Sequence, residues 1–298
     1  MRKIGSIGPG IWRRRALRRQ AVPVPDTAAG LHVVEHLPTQ RGFPDDRDSP
    51  VVVLVHGSLD RGTSFARVVR RLPDLHVITY DRRGYHRSRQ ASEPGAEEGG
   101  SAFERHVEDL LAIVDGRKTV LIGHSFGADI VLGAAVAAPP LVKAVGLYEP
   151  PTPWFDWWPR RRRLDPSDDA GAQAEAFFRR VVSDEAWERL PERAKQERRA
   201  DGPALVSELA DLRVRGAPFG PGDVSIPVVL GRGERSVDRH RRAIEELSIH
   251  LEGATIFEIE GASHGAHLSH PDAFAQFVRL VAKRSADAEG AGYHGDDR

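Results

Sequence analysis

The 298-residue chain has no cysteine, which excludes disulfides, thiolate nucleophiles and thiolate metal sites together. It carries no net formal charge, with 43 basic and 43 acidic residues, so no global field favours nucleic acid as a partner. No apolar run reaches the ~18 residues that a membrane-spanning helix needs. The expectation is a soluble, cytoplasmic protein with a small-molecule substrate and neither a nucleic-acid nor a membrane partner. The basic stretch Trp12 to Arg19 leads into Gln20 to Pro25 with no apolar segment behind it, unlike an export signal. It reads as a solvated tail over residues 1–20.

What is present is enough apolar material, 40 % of residues, for one large core with a subdomain. Two short strands around a turn at Asp26 to Gly30 are expected within residues 21–37, followed by a polar loop. From Val51 onward, short apolar or β-branched runs recur at Val51–Val55, Leu75–Tyr80, Thr119–Ile122, Ala144–Tyr148, Val228–Leu230 and Thr255–Ile259. Runs without alternation suit strands buried on both faces. Helical patterns separate them; Phe103, Val107, Leu110, Leu111 and Val114, for example, fall on one helix face. The alternation predicts an α/β fold with a mostly parallel central sheet flanked by helices. Between Pro151 and Ser225 the pattern is helical only, which reads as a helical lid inserted after the strand that ends at Glu149. The expected organisation is a core over 21–150, a lid over 151–225, the rest of the core over 226–283 and a flexible tail over 284–298.

The most informative segment is Gly123-His124-Ser125-Phe126-Gly127, set between a strand pattern and an apolar helix pattern. Glycines two residues either side of Ser125 let the backbone reverse within a few residues and let the new helix pack close to its strand. Ser125 is then exposed at the carboxyl edge of the sheet, above a helix N-terminus. A serine hydroxyl is a weak nucleophile near neutral pH, so it needs a base, and the base needs an orienting acid. His264, after the last strand pattern and before the final helix, is the candidate base; His267 and His270 compete for the role.

This order resembles the α/β-hydrolase superfamily over about residues 21–283. His56-Gly57-Ser58 is similar to the family's oxyanion turn, Asp81 to Ser88 to its Asp-x-Arg-Gly loop, Gly123 to Gly127 to its nucleophile elbow, and His264 to its terminal base. The resemblance implies a serine hydrolase with Ser125, His264 and a carboxylate as its triad. It implies the backbone N–H groups of Ser58 and Phe126 as oxyanion donors, with no cofactor and no metal. In most relatives the acid is an Asp shortly after the strand that follows the lid, and here the aligned position is Ser236. Some relatives carry it at the end of the strand before the lid, which here closes on Glu149. Glu149 is therefore the leading candidate, with Glu234 and Asp238 as alternatives.

The lid opens with Trp154-Phe155-Asp156-Trp157-Trp158 and the run Arg160 to Arg163. Trp154, Trp157 and Trp158 are expected to wall a pocket for an apolar acyl or aryl group; anchoring the lid is the competing role. Together these features point to hydrolysis of an ester-like carbonyl through an acyl-enzyme. Thioester and carbon–carbon bond hydrolysis would use the same residues. The alternative is a non-hydrolytic ligand-binding or sensor protein on the same fold, suggested by the missing Asp at position 236.

Overall fold

The computed structural model describes residues 30–39, 50–92, 101–159, 169–220 and 222–292. The basic N-terminal stretch, the first of the two strands expected within 21–37 and the run Arg160 to Arg163 lie outside these residues. The described strands are β1 (Val33–His36), β2 (Val51–Val55), β3 (Val77–Tyr80), β4 (Thr119–His124), β5 (Val142–Tyr148), β6 (Val228–Gly233) and β7 (Thr255–Ile259). They form one sheet in the order β1-β3-β2-β4-β5-β6-β7. β1 pairs antiparallel with β3 and every other pairing is parallel.

The unalternated apolar runs have the expected cause. All five residues of β2 are buried, with Val51, Val53 and Val55 in one core layer and Val52 and Leu54 in the other. The first layer is filled by α2 (Ala102–Val114), α3 (Phe126–Ala137) and α8 (Asp238–His250); the second by α1 (Ala66–Val69), the short α9 (Ala266–Ser269) and α10 (Pro271–Gly292). Ser101 caps α2 through a reciprocal box with Glu104, which satisfies two otherwise orphaned N–H groups. The helix α10 continues to Gly292, past the boundary expected at Lys283. The alanine-rich stretch after it favours helix, and the buried hydroxyl of Ser285 bonds back to the Ala282 carbonyl.

Among the described residues, four helices separate β5 from β6: α4 (Ala170–Val181), α5 (Asp184–Glu188), α6 (Glu192–Ala200) and α7 (Gly202–Val214). They pack mainly on one another, and Ala174 and Leu205 share a small apolar cluster with Leu59 of the main body. Among the described residues this interval contains no strand, as its pattern predicts.

The chain leaves β2 for one neighbour, β3, and later returns to the opposite side of β2 as β4. Loops after β2 and β4 therefore diverge, and the crevice between their carboxyl ends is where an open α/β sheet binds ligands.

Candidate functional site

Ser125 stands at that crevice, between β4 and α3, with φ 53° and ψ −130°. A non-glycine residue held in this region costs on the order of 1–3 kcal/mol, so the turn is over-determined by what surrounds it. Its N–H donates to the Tyr148 carbonyl at 2.9 Å. Gly127 lies so close to β2 that an added Cβ would come within 2.4 Å of the Val55 carbonyl oxygen. Phe126, the first residue of α3, has an N–H with no acceptor inside the helix.

Directly after the strand β5 comes another residue with positive φ, Glu149, at 47°. Its side chain is fully buried. One carboxylate oxygen, Oε2, lies 2.8 Å from Nδ1 of His264. The other accepts from the Gly233 N–H at 2.8 Å and from the Ser236 hydroxyl. Burial opposes ionisation of Glu149, but His264, the Gly233 N–H and the Ser236 hydroxyl outweigh it and hold the carboxyl below its usual range. The position that lacks the usual Asp thus supplies a donor to the carboxylate on the neighbouring strand. Glu234 instead accepts from the Gly261 N–H and is exposed, and exposed Asp238 pairs with Arg241. Among the described residues neither is hydrogen-bonded to a histidine.

Of the three candidate histidines, His264 alone bonds to Glu149, and its side chain is about one-fifth exposed. It lines the same cavity as Ser125. His124, the residue before Ser125, reaches the backbone carbonyl of His264 through Nε2 at 2.8 Å, with the two rings 4.7 Å apart. His267 is buried against Asp60, 3.2 Å away, while His270 bonds to the Ser269 hydroxyl. His56 bridges its own loop: it bonds the Gly57 carbonyl and accepts from the Arg82 N–H at 2.9 Å.

The loop after β2 packs on the turn at Ser125. A Cβ added at Gly57 would lie 2.8 Å from Cβ of Ser125. The side chain of the next residue, Ser58, does not point at a reacting group; its hydroxyl donates to Glu208 of α7 at 2.7 Å. Glu208 was not singled out in the sequence. Fully buried, it accepts from the Tyr85 hydroxyl at 2.7 Å, pairs with buried Arg82, and lies 2.9 Å from Nε2 of His106. Burial would raise its pKa, but Arg82 and His106 overcome that and hold it far below the usual range. One carboxylate from the helical segment thus ties together the turn at Ser58 and the loop Asp81 to Ser88. Sequence spacing carries no trace of a partner so distant along the chain.

A cavity of about 890 Å³ opens over Ser125, within the usual size range for small-molecule sites. Phe126, Pro151, Pro153, Trp158, Phe177, Leu209 and Leu212 supply its apolar wall. Of the three tryptophans expected there, only Trp158 lines it. Trp154 packs on the core layer near Arg215, and Trp157 stacks on Phe155 with the Arg242 guanidinium 4.3 Å from its ring. A tight turn over Thr152–Trp158 sends neighbouring rings in different directions, so clustering in sequence did not mean a shared face. His240 also lines the cavity, stacked 4.6 Å from His264. Burial, with the nearby His264, pushes its pKa down to about 3. The Glu149, His240 and His264 side chains lie close enough to suggest metal ligands, but Glu149 and His264 are already bonded to each other and the two rings are stacked. Stacked rings direct their in-plane lone pairs alongside each other, so the trio fits a metal poorly.

The family model for the "Alpha/beta hydrolase family" matches residues 52–277. An uncharacterized hydrolase, YraK, of Bacillus subtilis is 33 % identical over 105 residues, which are 34 % of this chain and 37 % of that protein. The matched stretch thus spans little more than a third of that relative. A hydrolase of Pseudomonas aeruginosa PA01 superposes with a TM-score of 0.63 at 17 % identity, covering 90 % of this chain and 99 % of that one. A thermophilic esterase of Thermogutta terrifontis gives the same score, identity and coverage. At such identity the two structures bear on the fold alone.

Proposed function

The chain belongs to the alpha/beta hydrolase family, and on that premise we propose that it is a serine hydrolase that cleaves an ester-like carbonyl of a small organic substrate through an acyl-enzyme. The observation that carries the reading is the contact between buried Glu149 and His264, where His264 lines the same cavity as Ser125. With Glu149 on Nδ1, the neutral imidazole keeps its proton there and offers Nε2 as base. Ser125 Oγ attacks the carbonyl while His264 takes its proton. The imidazolium then lies against a carboxylate that is kept ionised, and returns the proton to the leaving alkoxide. Water, activated by the same imidazole, releases the acid. No cofactor enters the scheme.

The developing oxyanion falls to the backbone N–H groups of Ser58 and Phe126, where removing one comparable donor costs about 10²–10³ in kcat. The Ser58 hydroxyl is already given to Glu208, so its contribution is to fix the loop. The helical segment over 151–225 acts as the lid, with Trp158 facing the substrate. Because Ser236 donates to Glu149, the missing Asp at that position no longer favours a non-hydrolytic binding protein.

Stopped-flow hydrolysis of p-nitrophenyl acetate tests the reading. A burst of one p-nitrophenol per protein, absent from Ser125→Ala, is expected. A burst that persists in Ser125→Ala would remove Ser125 as the nucleophile.

A further inference from the structure

A base that serves Ser125 must hold its ring in one plane, and the hydrogen bonds of His264 fix only parts of it. Glu149 holds one atom, Nδ1, at 2.8 Å, and His124 Nε2 lies 2.8 Å from the backbone carbonyl of the same residue. The torsion that turns a histidine ring about its Cβ–Cγ bond is soft, so a contact at one corner leaves the plane free to tilt. The ring of His240 supplies a surface for that plane. Its centroid lies 4.6 Å from that of His264, with the planes 23° apart; the His124 ring, at 4.7 Å, is tilted by 44° and lies less flat against it. His240 is the third residue of α8, with its backbone N–H bonded to the Val237 carbonyl at 2.9 Å. Trp158 abuts the ring edge-on, with centroids 6.0 Å apart and planes at 78°. The platform is therefore buried and mounted on a rigid element. Burial also pushes the His240 pKa down to about 3, so this ring adds no second positive charge beside His264 when the base takes up a proton.

We infer that His240 is a positioning residue for the base: its flat ring, stacked on His264, sets the plane of that imidazole, so that Nε2 stays aimed at Ser125 while Glu149 holds Nδ1. What the base does there rests on the serine-hydrolase reading, whereas the orientation of its ring is observable without substrate. A reacting atom displaced by about 1 Å can cost about 10²-fold in rate, so a tilted base should show in kcat rather than in KM.

His240→Phe and His240→Leu separate a flat ring from mere volume. Both fill the site and remove the His240 Nδ1, which is buried without a hydrogen-bond partner, so both are expected to fold; circular dichroism and thermal melts check this. With p-nitrophenyl acetate, kcat should fall by about 30-fold or more in His240→Leu and by no more than about fivefold in His240→Phe, whose ring can still stack. KM should change little in either. The second measurement is proton NMR of the free protein. The proton shared by His264 Nδ1 and Glu149 should give a far-downfield resonance, identified by its absence from Glu149→Gln. That resonance should persist in His240→Phe and be broadened or lost in His240→Leu. Its loss in His240→Leu but not in His240→Phe, in a protein that turns over no ester, would sink the hydrolase reading and leave the positioning of the ring standing. Equal kcat in two active variants, or a resonance that His240→Leu keeps intact, would overturn the inference.

Discussion

Glu208 offers a demanding test of how the helical segment is joined to the site. Its carboxylate and the Arg82 guanidinium are both essentially without solvent, and the same carboxylate accepts from Ser58 and Tyr85 and contacts His106. Glu208→Gln keeps the shape but removes the charge, leaving Arg82 buried and uncompensated. Breaking a buried pair from one side costs about 3–5 kcal/mol. At roughly 2–4 °C per kcal/mol for a chain approaching this size, the melting temperature should drop by about 6–20 °C. Replacing both partners, Arg82→Met/Glu208→Met, should cost clearly less than the sum of the single changes, because no lone charge remains. Urea melts followed by tryptophan fluorescence give the free energies, and labelling by a fluorophosphonate gives the state of the turn at Ser58, the proposed oxyanion donor. Ser58 loses a charged acceptor in Glu208→Gln, so labelling should slow even well below the melting temperature. A Glu208→Gln protein that loses less than about 1 kcal/mol and labels at the wild-type rate would refute the reasoning.

Ser236→Ala should reduce kcat only modestly, by roughly tenfold or less, since one of the bonds to the Glu149 carboxylate is lost and the others remain. Ser236→Asp should do worse than Ser236→Ala despite restoring the commoner residue, because two carboxylates would share one buried site; equal or higher activity in Ser236→Asp would contradict this. Trp158→Ala should lower kcat/KM by about tenfold or more for long or aromatic acyl esters and less for acetate, whereas Trp157→Ala should lower stability without acyl-length dependence. The reverse pattern would exchange their roles. Stability should also fall on acidification. Burial holds His56 near about 4 and His240 near about 3, and pushes His124 well below its usual value. Between about pH 6.5 and 4 the unfolded chain takes up protons that these folded rings do not. Each ring therefore withdraws up to about 1.4 kcal/mol per pH unit as pH falls. Urea midpoints that stay level from pH 7.5 to 5 would contradict this.

The strands and the serine turn were legible because local rules govern them. A run such as Val51–Val55 suits a strand buried on both faces, as in a sheet covered by helices on each side, and the glycines around Ser125 declare a close-packed reversal. The acid was half legible. A glutamate ending the apolar strand β5 was visible, but its choice over Glu234 and Asp238 depends on strand adjacency. β5 and β6 are neighbours, about 4.8 Å apart, so an acid at the end of either can reach the same imidazole. The longer Glu side chain from β5 does so, and Ser236 from the segment after β6 supports it. What could not be read was set by tertiary packing: the side of the turn on which each tryptophan emerges, and the partner of Glu208, which lies more than a hundred residues from Ser58, Arg82, Tyr85 and His106 in sequence.

The central claim is that Glu149, Ser125 and His264 act as one unit, and the kcat of Glu149→Gln against an ester that the wild type turns over tests it most directly. The amide selects a different imidazole tautomer and cannot stabilise the imidazolium, a change that costs about 10⁴ in kcat in the best-studied triad. The account predicts a loss of that order in a protein with unchanged circular dichroism, with Glu234→Gln and Asp238→Asn within a few-fold of wild type. A Glu149→Gln enzyme that keeps most of its kcat while Glu234→Gln or Asp238→Asn loses it would contradict the account.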